Sequence, residues 1–357
     1  MKRGLTSMAL AATIAVVVSG GSPVATQAPS AAAVKAPRTW TTPRTPWGDP
    51  DLQGTYTNKY EQSTPMERPK EFEGRRVQDV TGEELTRVLQ ERQRISDERA
   101  PFLAGDPTGQ IRGNQAFSDR GEITKGSRAW MIVDPPDGKI PPLTAEAQKR
   151  TAARAAAAGR RASSFTNGPF NSVEDFSLYD RCITRGFPNS MLPAIYGDSY
   201  EIVQAPGYVA IRYEMVHETR VIPLVSRPGS DHAGPDRAHV GTEIRLDMGD
   251  ARGYWDGDTL VVESRNFKER SIYRNALADS LRLVERFTRT SPAIVEWSVT
   301  VDDPKTWTKP WTFSLPLTAN ESEPVLEYAC HEGNYAMRHM LSASRAEEKE
   351  TAGGREK

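Results

Sequence analysis

The rhythm of apolar and polar residues changes near Ser199. From there to Cys330 they alternate with a period of two, in short runs separated by turn residues: SYEIVQ, VAIRYEMVHETRVIPL, TEIRLDM, ARGYW, TLVVESRNF, LRLVERFTR, AIVEWSVTVDD, PWTFSLPL and VLEYAC. Alternation sends successive side chains to opposite faces, so each run reads as a strand with one buried face. Ala-Pro-Gly-Tyr joins the first two runs into a long hairpin, and Asp256-Gly257 supplies a turn that tolerates positive φ. A meander of this kind leaves edges to hide, and closure removes them. The predicted fold is mainly β, an antiparallel meander of about eight to ten strands closing into a barrel, with a β-sandwich as the alternative.

Residues 51–170 lack that rhythm. They are rich in charge and proline (ERPKEF, DPPDGKIPPL), and DLQGTYTN offers one short strand. Two helices are predicted within them. TGEELTRVLQERQRISDERA opens on Thr81 with Glu84 three residues on, a capping-box pattern. LTAEAQKRTAARAAAAGRR opens on Thr144 with Glu146 and ends in basic residues. This segment is expected to wrap or lid the barrel. Residues 171–348 form the barrel domain, closed by a C-terminal helix in which Tyr335, Met337, Met340 and Leu341 have helical spacing; 349–357 read as a disordered tail.

Composition adds a compartment. Lys2 and Arg3 precede an apolar run over 8–18 and a small-residue stretch, the pattern of a signal peptide over 1–28, followed by an Ala/Pro/Thr linker over 29–50. The run is shorter than the roughly 20 residues of a membrane-spanning helix. A periplasmic or secreted protein is expected, with no stable membrane insertion after cleavage. Hydrophobic residues make up 37% and charged residues 26%, so part of the chain is loop rather than core. The net charge is −1 and the basic residues form no long block, which removes compositional support for a nucleic-acid partner. Cys182 and Cys330 are the only cysteines. Oxidising surroundings favour a bond between them, and two buried thiols are the alternative.

Several long motifs carry a resemblance. PWGDPDLQGTY, IVDPPDGKIPPLT, DRCITRGFPNSMLPAIYGDSYEIVQAPGYVAIRYEMVHETRVIPL, GYWDGDTLVVESRNF and YACHEGNYAMRHMLSASRAEE resemble a large family of secreted soil-bacterial proteins, over nearly the whole mature chain. That family brings no catalytic residues to carry over. A weaker likeness is to lipocalin-like (calycin) barrels, because DLQGTY stands where those proteins keep Gly-x-Trp; here Tyr56 takes the place of the tryptophan.

The candidate chemistry is sparse. His331-Glu332 suggests zinc, but the helical partner position one turn on is Tyr335, and His339 lies two turns away, about 12 Å along a helix. Neighbours on a strand, such as His217 and Glu218, point to opposite faces. His232 and His239 lie in a Gly/Pro/Asp loop and are expected in solvent. No metal and no cofactor is predicted.

A bond between Cys182 and Cys330 would bring YDRCITRGFP beside YACHEGNY, their Cα atoms about 5–6 Å apart. His331 would then be an acid/base candidate, Asp180 or Glu332 the carboxylate that orients it, and Arg181 or Arg185 a charge stabiliser, with Asn334 and Tyr335 as ligand-binding residues. A polar network that merely ties a loop to the barrel is the other reading. A second group lies on the long strand. Tyr213, Met215 and His217 alternate onto one face and could line a pocket for an amphipathic or aromatic ligand. Inward charges on the other face would need partners, for which Glu285 and Arg289 are candidates. No Gly-x-Ser-x-Gly, phosphate loop or dinucleotide fingerprint is present. The functional expectation is a small-molecule pocket serving a cofactor-independent hydrolase or lyase; the alternatives are a non-catalytic binding protein and an envelope structural protein.

Overall fold

The computed structural model describes residues 40–103, 126–158, 170–194, 197–226, 238–322 and 324–353. The expected signal peptide over 1–28 and the first half of the expected linker, 29–39, lie outside the described residues. The compact unit begins at Thr41.

A single antiparallel sheet of ten strands curls into a nearly closed barrel. In chain order the strands are β1 (Gly54–Thr57), β2 (Ile132–Asp134), β3 (Ser199–Ala205), β4 (Tyr208–Tyr213), β5 (Thr219–Pro223), β6 (Asp250–Asp256), β7 (Thr259–Arg265), β8 (Arg282–Ser291), β9 (Ile294–Asp302) and β10 (Trp311–Ala319). Two sequential meanders, β3–β5 and β6–β10, are joined by β1, which pairs with β3 on one side and β10 on the other. Most strands of these meanders match the alternating runs, whereas the splice through β1 has no counterpart in the alternation. A strand remote in sequence occupies the position that a pure meander would leave open. β2, absent from the sequence expectation, adds to β10 at a register shift.

The turns form as their residues dictate. Pro206-Gly207 connects β3 to β4 with Gly207 at φ 80°, and Gly257 sits at φ 62° between β6 and β7. β9 buries every second residue, so Val295, Trp297, Val299 and Val301 face inward. The sheet closes where β5 meets β6 through a parallel bridge between Leu224 and Gly253. A side chain at Gly253 would stand 2.9 Å from a methyl of Ile222, so only glycine lets these two edges approach.

TEIRLDM and VLEYAC do not form strands. The first is an irregular segment with one bridge from Leu246 to Phe267, and the second is an extended arm running to the last helix. Three helices are seen among the described residues: α1 (Gly82–Leu103), α2 (Ala145–Ala158) and α3 (Ala336–Gly353). α3 continues past the expected boundary at 348. The capping box expected at Thr81 gives way to an ion pair, because Glu84 turns to Arg75. Thr144 does cap α2, accepting from the Ala147 amide at 3.1 Å while donating to the Lys305 carbonyl at 2.9 Å.

Candidate functional site

The two cysteines are bonded, with Cα atoms 5.7 Å apart across 148 residues of sequence. The bond ties the arm after β10 to segment 177–192, which covers one end of the barrel. Asn334 adds to it, its side-chain amide donating to the Asp180 carbonyl at 3.2 Å and lying 3.3 Å from Cys182 Sγ. Gly186, Phe187 and Pro188 then dip into the barrel, and Phe187 is fully buried. Gly186 holds φ 69°, and a Cβ there would stand 2.7 Å from the Ser271 carbonyl oxygen.

The residues expected to share a site separate within this end. His331 and Glu332 are exposed, and among the described residues no hydrogen bond or ion pair links either side chain to Asp180. The Asp180 carboxylate instead accepts from the Ser177 hydroxyl at 2.7 Å. Arg181 pairs with Glu174 at 3.6 Å. The Arg185 guanidinium lies 5.9 Å from the centre of the Tyr179 ring. Tyr335 is exposed, on the outer arm.

The stripe of Tyr213, Met215 and His217 needs correction. The chain reverses at 214–218, with Val216 and His217 both in the left-handed region at φ 59° and 45°, and the Tyr213 amide donating to the Glu218 carbonyl at 2.8 Å. Two strands replace one. Tyr213 and Met215 are sealed in the core, whereas His217 is exposed, its Nδ1 3.1 Å from the Tyr328 carbonyl. The reversal also aims Arg220 inward. Its partner is Glu285, one of the two residues named from the sequence, at 2.7 Å with both side chains almost wholly buried. Arg289, the other, donates to the carbonyls of Asp51 and Pro292. His239 is likewise no solvated loop residue: its Nδ1 lies 2.9 Å from an Asp250 carboxylate oxygen. Its hydrogen bond to Glu263, helped by Arg282, holds that carboxyl down at about 2.

The polar groups that do converge at the covered end come from elsewhere. Asp198, just before β3, is 4% exposed. It accepts from Gln62 Nε2 and from the Ala194 amide, both at 3.0 Å. Burial outweighs these bonds and pushes its carboxyl up to about 7. Arg185 is close enough to act on Asp198 and on Tyr200, whose phenol donates to Asn58 Oδ1 at 3.2 Å. One Arg185 nitrogen, Nη1, is buried with no hydrogen-bond acceptor among the described residues. Around the turn, Glu218 accepts from Thr184 Oγ1 at 2.8 Å and from Ser190 Oγ at 3.4 Å. Burial raises its carboxyl too. The sequence hint for Asp198 is faint: a lone acid between a glycine and the first alternating residue.

The end fastened by the disulfide thus holds Asp198 and Glu218, each a carboxyl of raised proton affinity, and Arg185, whose Nη1 has no acceptor among the described residues. Comparison of the chain with protein families, with curated proteins and with solved structures finds no match.

Proposed function

We propose that this is an extracytoplasmic protein that binds a small organic molecule at the covered barrel end and exchanges a proton with it, without a cofactor. The observation that carries this reading is the buried Asp198 carboxyl, 4% exposed and within electrostatic reach of the Arg185 guanidinium. A carboxyl held near 7 both gives and takes a proton at neutral pH. The unused Nη1 of Arg185 offers a donor to a carbonyl or carboxylate oxygen. Together they suit hydrolase or lyase chemistry, with Arg185 fixing the oxygen and Asp198 moving the proton. The framing segments expose Ile183, Leu246, Leu326 and Tyr335, which favours an amphipathic ligand. The leader pattern and the disulfide support the compartment.

One observation favours a structural role for the same end: Asp198 already receives two hydrogen bonds that pin the chain around it. A thermal-shift screen of small carboxylates, esters and carbonyl compounds separates the two. A hit that stabilises the native protein, is lost in Arg185→Met, and is turned over by native protein but not by Asp198→Asn supports the proposal. No hit across the panel, with Asp198→Asn lowering Tm sharply, supports the structural role.

A further inference from the structure

Around Arg220 in the barrel core the buried N–H donors outrun their acceptors: Glu285 Oε2, which has no hydrogen bond of its own among the described residues, already lies 2.7 Å from Arg220 Nη2. Arg220 gives one nitrogen, Nη2, to Glu285. Its Nε and Nη1 are buried without an acceptor among the described residues, and so is the Tyr213 hydroxyl. Tyr213 is completely sealed from solvent, and both Arg220 and Glu285 act on its phenol. On β7, the neighbour of the strand that carries Glu285, Ser264 Oγ is also buried and without a partner among the described residues, two residues along from Val262, which stands opposite Glu285. Native interiors rarely leave such groups unpaired, because each forfeits its bonds to water and gains nothing in return.

The surrounding protein does not remove the excess. The Phe187 ring lies 4.1 Å from the guanidinium carbon and covers one face of Arg220. The N–H bonds lie in the guanidinium plane, however, and point past the ring. Trp297 Nε1 is a further donor and spends itself on Glu285 at 3.1 Å. Whatever meets the free edge of Arg220 must therefore bring acceptors.

Charge narrows the choice. Glu285 already balances Arg220, so an anion would add an uncompensated buried charge, and a cation would be repelled by the buried Arg220 guanidinium. We propose that the space between Tyr213 and the free edge of Arg220 is a binding site for the oxygen of a small uncharged guest, either the carbonyl of an organic molecule or a resident water. Two or more convergent polar groups are what a buried water requires. This site lies in the barrel core rather than at the Asp198 end, and it stands or falls independently of the activity proposed there.

The test is NMR on the full chain labelled with 15N-arginine, reading the Arg220 Nε–H signal, which Arg220→Lys assigns by its absence. If that variant does not fold, contacts to the Phe187 ring assign the signal in native protein. A cross-peak from this proton to water, weakened in Tyr213→Phe, is the expected result for a resident water. A shift on addition of acetamide, with loss of the water cross-peak, identifies a carbonyl guest. The proposal is overturned if the signal shows no water contact and does not move with acetamide. It is equally overturned if Tyr213→Phe leaves the water contact untouched, since the water would then lie elsewhere.

Discussion

Replacing Glu285 by glutamine isolates the buried charge. The substitution keeps the size of the side chain and an acceptor for Trp297, but leaves the Arg220 guanidinium, 3% exposed, without a counter-charge. Coulomb's law at an effective dielectric constant of about 20 gives about 5 kcal/mol for unit charges 3–4 Å apart. Breaking a buried pair by removing one partner typically costs about 3–5 kcal/mol. At about 2–4 °C per kcal/mol for a domain of this order of size, Tm should fall by about 6–20 °C. Urea titrations followed by tryptophan fluorescence and far-ultraviolet circular dichroism supply the measurement, and coincident transitions license the two-state arithmetic. The double variant Arg220→Met/Glu285→Leu removes both charges and should recover most of the loss. A loss below about 1 kcal/mol for Glu285→Gln would refute the reasoning. So would a double variant as unstable as the single one, because packing rather than charge would then set the cost.

Three further outcomes follow from the same geometry. Gly186→Ala forces a side chain into a left-handed backbone and against the Ser271 carbonyl, so urea denaturation should show a loss of at least about 1–3 kcal/mol. Opening the disulfide with Cys330→Ser removes a crosslink spanning 148 residues, worth up to about 5 kcal/mol in the chain-entropy model; hydrogen exchange should rise first in the arm 324–335 if the loss stays local. For pH, Asp198 and Glu218 are both raised, so between the usual carboxylate range and about 7 the folded state binds more protons than the unfolded one. Stability measured by urea midpoints should therefore fall as pH rises from about 4 to 7, and Asp198→Asn should flatten that slope. Glu263 acts in the opposite sense, contributing stability above the usual carboxylate range that is lost as pH falls toward 2.

Most strands after Ser199 were legible because their residues alternate and they end at residues that favour a turn, although β7 and β10 bury consecutive residues. The break in the β4–β5 run was not. Glu-Met-Val-His-Glu contains no glycine, proline or asparagine, yet Val216 and His217 adopt positive φ there. Tertiary closure imposes the turn, and with it the inward aim of Arg220. The alternation of the continuous run left open which face turns inward and named Glu285 as a partner for an inward charge, but a single strand could not bury Tyr213 and Arg220 together as the reversal does. VLEYAC alternates like a strand, but β10 already has β1, β2 and β9 as neighbours, so no edge remains for it. The disulfide was expected from an oxidising compartment and the cysteine count, and the bond places segment 177–192 beside the arm at 324–335. Which polar groups meet there was hidden, because Asp198 owes its raised proton affinity to burial by the folded chain, against the opposing bonds from Gln62 and Ala194.

The decisive measurement is the titration of the Asp198 side-chain carboxyl by 13C NMR in the full chain, with Asp198→Asn to assign it. A midpoint close to 7, shifting when a ligand engages Arg185, is the predicted result. A midpoint in the ordinary aspartate range, unmoved by any small carbonyl or carboxylate compound, would contradict the proton-exchanging site.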